Sequence, residues 1–242
     1  MAKFVTIGGG NLREGDTLAI DRRIAALAGR ERPRVLFIPT ASHDAGGYVN
    51  AVSRVYRHLG CSFSTLLYFI DPAAAEHAAE KVEKADIIYV GGGNTQLLLE
   101  TWRRFGLDRL LRQAADGGKL LCGLSAGAIC WFAGGYSDFD PGSGAQPVFR
   151  GIEGLGLLPG LCCPHYDEPG RGGFDSFLAG RNGVALANNC ALLVDGDRCE
   201  AMGEGVYLFS GGQKRRLADG EQFPLAALEA VPAQAAKRSV SV

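Results

Sequence analysis

The chain has 242 residues, 47% of them apolar, which is enough to fill the core of one large α/β domain, and a formal net charge of −1. Such a near-cancelled charge gives no field to draw nucleic acid or an anionic membrane surface, and no apolar run is long enough to span a bilayer. The seven cysteines are odd in number, lie mostly within apolar runs and never show a Cys-x-x-Cys spacing, so they predict a reducing, cytoplasmic setting and no metal site.

The N-terminus passes from one lysine into a strand over 4–8 and a glycine loop, with no leader-like apolar segment. RVLFIPTAS (34–42) reads as the next strand, followed by a helix near 46–59 whose Val52, Val55, Tyr56 and Leu59 keep a helical period. CSFSTLLYF predicts a third strand. Asp71-Pro72 then opens a helix over 72–85, and ADIIYV is strand four. From Asn94 the chain is helical through TQLLLETWRR, and a second helical patch, LDRLLRQAADGG, ends at Gly117-Gly118. KLLCGLS is a short buried strand running into SAGAICWF, which predicts the next helix. After about residue 182, short strands joined by turns follow.

This alternation predicts an α/β fold: a mostly parallel sheet flanked by helices on both faces, with a small antiparallel C-terminal appendix. Residues 1–242 read as a single domain, with 232–242 as a loose tail.

Gly123-Leu124-Ser125-Ala126-Gly127 matches the G-x-S-x-G nucleophile elbow and stands where that motif must, between a buried strand and a helix. Its small residues leave room for a strained turn that presents the serine oxygen at a helix N-terminus, where the dipole favours negative charge and Ala126 N–H is a natural oxyanion donor. Tyr89-Val90-Gly91-Gly92-Gly93-Asn94-Thr95 is a second strand, glycine loop and helix start, and in a parallel sheet both loops open at the carboxyl edge. A glycine there supplies a second oxyanion N–H.

Of the four histidines, His58 and His77 fall within helical stretches and His43 reads as a solvated loop residue. His165 follows a short apolar segment and precedes a polar loop, which makes it the candidate base. Its orienting acid lies between serine and histidine, at Asp138 or Asp140, with Asp138 favoured because Asp140 precedes a proline and reads as a turn start.

Together these segments resemble the peptidase E family, which includes the aspartyl dipeptidases and is related to cyanophycinase. The resemblance rests on IGGGN (7–11), IPTAS (38–42), YVGGGNT (89–95), GLSAGAICWF (123–132), YSDFD (136–140) and CPHYDEPGR (163–171). It implies a class I glutamine amidotransferase-like fold, a flavodoxin-like three-layer sandwich. It also implies a Ser125-His165-Asp138 triad, an oxyanion hole from Ala126 with Gly92 or Gly93, and no cofactor. The expected partner is a short peptide, and a homodimer is compatible with the reading. Asn94 and Arg171 are the candidate substrate contacts, since a guanidinium matches a carboxylate in a two-pronged geometry.

The aspartyl dipeptidase pattern continues after the histidine into a second histidine and a G-E-T-R-like run, whereas this chain has DEPGRGGFDSFL. Preference for N-terminal aspartate therefore competes with another specificity, including β-aspartyl. An ordinary α/β-hydrolase is disfavoured because no histidine follows residue 165. A module binding a nucleotide or other small ligand through its two GGGN loops is the reading from another class, although neither loop continues into G-x-G-x-x-G and no Walker lysine pattern occurs.

Overall fold

The computed structural model describes residues 2–139 and 148–229, so the expected tail at 232–242 lies outside the described residues. The first strand, β1 (Lys3–Ile7), is followed by α1 (Leu18–Leu27), which the sequence reading did not anticipate. Then come β2 (Arg34–Ile38), α2 (Gly46–His58), β3 (Ser62–Thr65), α3 (Ala74–Lys84) and β4 (Ile87–Val90). The series continues with α4 (Thr95–Phe105), α5 (Leu107–Asp116), β5 (Leu120–Leu124) and α6 (Ala126–Ile129).

Local chemistry sets these boundaries. Asn94 caps α4 by accepting the Leu97 N–H through its side chain, and Gly106, at φ +74°, closes the helix in the left-handed region. Asp71 accepts the Ala73 N–H in a turn of its own, so α3 starts at Ala74 and not at Pro72.

Strands β3, β2, β4, β5 and β1 pair in parallel in that order, with β1 in register beside β5. Side chains alternate across this sheet. Val5, Ile7, Val35, Phe37, Ile87 and Tyr89 face α1 and α2, whereas Phe4, Leu36, Ile38, Ile88 and Val90 face α3, α4 and α5. Helices cover both faces, as expected from the α/β alternation.

The antiparallel part is larger than an appendix. Past α6 the chain forms β6 (Phe132–Phe139), β7 (Val148–Glu153), β8 (Leu158–Cys163), α7 (Gly173–Leu178) and β9 (Gly183–Leu186). It ends in β10 (Ala191–Asp195), β11 (Arg198–Met202), β12 (Val206–Ser210), β13 (Gln213–Leu217) and β14 (Gln222–Pro224). Strands β10, β11 and β14 extend the main sheet antiparallel beyond β1, giving eight strands. The others build a second, six-stranded mixed sheet in the order β13-β12-β9-β8-β6-β7. The first of these strands opens at Phe132, where the sequence reading continued a helix; α6 is a single turn because the chain extends as soon as it has passed the elbow. One apolar core joins the two sheets, running from Trp102 and Trp131 to Cys162, Val184, Leu186 and Val206. Among the described residues no helix is long and apolar enough to cross a membrane.

Candidate active site

Ser125 sits between β5 and α6 at φ +58°, ψ −111°, a conformation that costs a side-chain-bearing residue about 1–3 kcal/mol. The surroundings hold it there. Its N–H donates to Ile7 O at the end of β1 (2.9 Å), and its carbonyl accepts Ala128 N–H (2.8 Å) and Ile129 N–H (3.1 Å). The elbow glycines are required by close approach: a Cβ at Gly123 would stand 1.9 Å from Gly127 O, and one at Gly127 would stand 2.3 Å from Val90 O. The strained pivot leaves Ser125 half-buried on the wall of a cavity of about 290 Å³.

His165 reaches the same cavity from beyond β8. Its backbone is left-handed (φ +53°), and its N–H donates to Gly8 O (3.1 Å), which pins the residue to the loop after β1. The imidazole Nε2 lies 2.8 Å from Ser125 Oγ. On the other side of the ring, Nδ1 lies 2.8 Å from Asn188 Oδ1 and 3.0 Å from Glu168 Oε1. Asn188 Nδ2 donates to that same Glu168 oxygen (2.9 Å), which leaves its Oδ1 facing the ring. With Asn188 Oδ1 facing it, Nδ1 is placed to donate, and the tautomer protonated there presents Nε2 to Ser125 Oγ as an acceptor.

The acidic neighbour of the histidine is thus Glu168, delivered by the turn in which Glu168 N–H donates to His165 O (2.9 Å). Asp138, expected in that role, is not within hydrogen-bonding reach of the imidazole. It lies near the end of β6, where its carboxylate pairs with Arg171 Nη2 at 3.1 Å. The reason is a divergence of the chain: β8 pairs in parallel with β6 as far as Cys162, then turns away, and His165 docks on Gly8 just past β1. Asp140, the second choice, lies outside the described residues.

Neither expected substrate contact faces the cavity. Asn94 uses its side chain to cap α4. Arg171 is only 6% exposed, packed over the Phe149 ring and held by Asp138. Arg13, from the loop after β1, lines the cavity; its guanidinium lies against Gly47 and has no acidic partner among the described residues.

Ala126, Gly92 and Gly93, expected as oxyanion donors, lie near the serine. Ala126, first residue of α6, has no intrahelical acceptor for its N–H, although a one-turn helix contributes little dipole and the amide itself is what remains. Gly92 and Gly93 line the cavity opposite, and a Cβ on Gly92 would come 3.2 Å from Ser125 Cβ.

Sequence reasoning missed Glu168, Asn188 and the task of the first glycine loop. A Cβ at Gly9 would stand 2.0 Å from Asn188 Oδ1 and 2.4 Å from His165 Nδ1, so IGGGN is the socket of the histidine. The available signals were an acid three residues past the histidine and the Asn188-Asn189 pair between two apolar strands, a composition that marks a turn. Protein packs closely against one glycine of each loop: a Cβ at Gly8 would strike Ala187 O and one at Gly93 would strike Ala41 O, each at 2.2 Å. Among the described residues no cluster of His, Cys, Asp and Glu has the arrangement of a metal site, and all seven cysteines are buried and free.

The sequence profile of peptidase family S51 matches residues 4–202. The chain belongs to peptidase family S51. The uncharacterized peptidase YgaJ of Bacillus subtilis is 40% identical over 168 residues, covering 69% of this chain and 70% of that protein. Peptidase E of Shewanella amazonensis is 31% identical over 227 residues, covering 86% and 92%. In three dimensions the S51 fold here resembles a peptidase from an acI-B1 actinobacterium, with a TM-score of 0.73 over 93% of this chain and 97% of the other, at 20% identity. The chain is accordingly an S51 peptidase of the peptidase E type.

Proposed function

We propose that the protein is a serine peptidase of short peptides, with Ser125 as nucleophile and His165 as general base. One observation carries this reading: Nε2 of His165 stands 2.8 Å from the Oγ of a serine held on a strained pivot. The Ser125 oxygen attacks the peptide carbonyl, forming an O–C bond as its proton passes to His165 Nε2. The tetrahedral intermediate then collapses; the C–N bond breaks and the same proton goes to the departing amine. Water, deprotonated by His165, releases the acyl group and restores the serine. Asn188 holds the ring in the required tautomer, and the Glu168 carboxylate at 3.0 Å stabilises the imidazolium. The amides of Ala126 and of Gly92 or Gly93 stabilise the oxyanion.

The cavity of about 290 Å³ suits a short peptide and excludes a folded chain. Arg13 in its wall supports a substrate bearing a carboxylate near the scissile bond, whether the side chain of an N-terminal aspartate or the C-terminal carboxylate of a dipeptide. The discriminating experiment is hydrolysis of Asp-Ala, Asn-Ala, Ala-Ala, Ala-Ala-amide and β-aspartyl-arginine by wild type and by Ser125→Ala and Arg13→Gln variants. Turnover lost with Ser125→Ala supports the serine mechanism. A KM that rises on Arg13→Gln for Asp-Ala but not for Asn-Ala assigns the anchor to the aspartate side chain. A rise for Ala-Ala but not its amide assigns it to the C-terminus. Undiminished turnover by folded Ser125→Ala contradicts the reading.

A further inference from the structure

One amide of the oxyanion hole is already engaged. Gly92 N–H donates to the hydroxyl of Tyr48 at 3.2 Å. Tyr48 stands in the first turn of α2 and lines the cavity together with Ser125, Gly93 and His165, its hydroxyl placed by the bond to Gly92. The ring is firmly seated. It packs edge-on against Phe37 with centroids 5.2 Å apart, and a Cβ at Gly91 would stand only 2.9 Å from its Cε1, so the glycine loop passes directly over it. While the oxygen accepts from Gly92, the hydroxyl's own proton has no acceptor among the described residues. A carbonyl oxygen entering between Ala126 and Gly92 therefore arrives beside a hydroxyl whose proton has no other acceptor among the described residues.

From this geometry we infer that Tyr48 is a catalytic residue, its phenolic O–H donating a further hydrogen bond to the oxyanion formed when Ser125 attacks. No proton is transferred: the phenol stays protonated, and the bond strengthens as charge builds on the oxygen. Burial, the leading cause, pushes the Tyr48 pKa up to about 12, so the donor persists across the range in which a histidine base works. In the free enzyme the same hydroxyl accepts the Gly92 N–H, and its own proton is left for the oxyanion. The inference rests on the serine-peptidase reading.

The test compares wild type, Tyr48→Phe and an enzyme with 3-fluorotyrosine at position 48, on a dipeptide the wild type cleaves and with the matching peptide aldehyde. The aldehyde forms a tetrahedral adduct on serine and so reports the oxyanion site directly. Tyr48→Phe, which keeps the ring, is expected to lower kcat about 10- to 100-fold with KM within about threefold, and to weaken the aldehyde in proportion to kcat/KM. The fluorotyrosine enzyme keeps the donor and stays within a few-fold of wild type. Wild-type kcat and aldehyde affinity in folded Tyr48→Phe would overturn the assignment, as would equal loss in both variants. A wild-type protein that cleaves no peptide and binds no aldehyde would instead remove the reading on which the inference rests, and the inference with it.

Discussion

Replacing Glu168 by Gln removes a charge from the histidine while keeping the shape of the side chain. With the carboxylate oxygen 3.0 Å from Nδ1, the attraction for an imidazolium is about 5.5 kcal/mol at an effective dielectric constant near 20 and about 1.4 kcal/mol in bulk water. The Glu168 side chain is 46% exposed, which places the effective value between these limits, at about 2–3 kcal/mol. The charge on His165 exists only once the serine proton has moved, so the loss falls on kcat, about 30- to 150-fold, with KM little changed. Steady-state dipeptide hydrolysis by wild type and Glu168→Gln measures it. Because the carboxylate is half exposed, the wild-type advantage should also shrink as salt is raised. A Glu168→Gln enzyme within twofold of wild-type kcat would refute the assignment of Glu168 as the acid that serves His165.

Two further outcomes follow from buried charge. Asp138→Asn should leave kcat within about threefold but lower stability by about 1–3 kcal/mol in urea unfolding, because Arg171 is buried and its Nε and Nη1 already lack partners; a collapse of kcat without loss of stability would contradict this. Asp21, fully buried and bonded by Thr17 and Tyr56, has its pKa raised from 3.8 to about 6, chiefly by burial and against those two hydrogen bonds. The folded state therefore binds this proton more tightly than the unfolded chain, and its stability falls as pH rises between about 4 and 6, by about 3 kcal/mol in all. Asp21→Asn carries no such charge, so it should gain that much relative to wild type between pH 4 and pH 7; a constant difference in urea midpoints would contradict the assignment.

The parallel half of the fold was legible because β1, β2, β4 and β5 are short apolar runs closed by a glycine loop or followed by a helical period. The elbow was legible for the same reason, since its glycines are forced by contacts of 1.9 Å and 2.3 Å. The second sheet was not legible: β6 and β8 are parallel neighbours separated by β7, and nothing local in FAGGYSDF distinguishes a strand from the loop it resembles. The acid was misplaced for a related reason. Asp138 and His165 lie near the ends of parallel strands, and a sequence does not show that the chain after Cys163 crosses to Gly8 while Asp138 stays with Arg171. Asn188 was hidden because its part depends on Gly9, far away in the chain, having no side chain.

Arg171 illustrates how residue type alone misleads. A loop arginine after a candidate histidine suggests a substrate anchor, yet burial under Phe149 and pairing with Asp138 make it part of the scaffold. Arg13 has the less suggestive sequence position and the more suitable place, on the wall shared with Ser125.

The central claim is that Ser125 is the nucleophile. Intact-mass measurement after treatment with a serine-reactive fluorophosphonate tests it most directly, followed by peptide mapping of the labelled protein. The expected result is one added group, located on Ser125, with parallel loss of peptide turnover, and no addition to Ser125→Ala or to denatured protein. Label on another residue with turnover lost, or a fully labelled Ser125 with turnover intact, would contradict it.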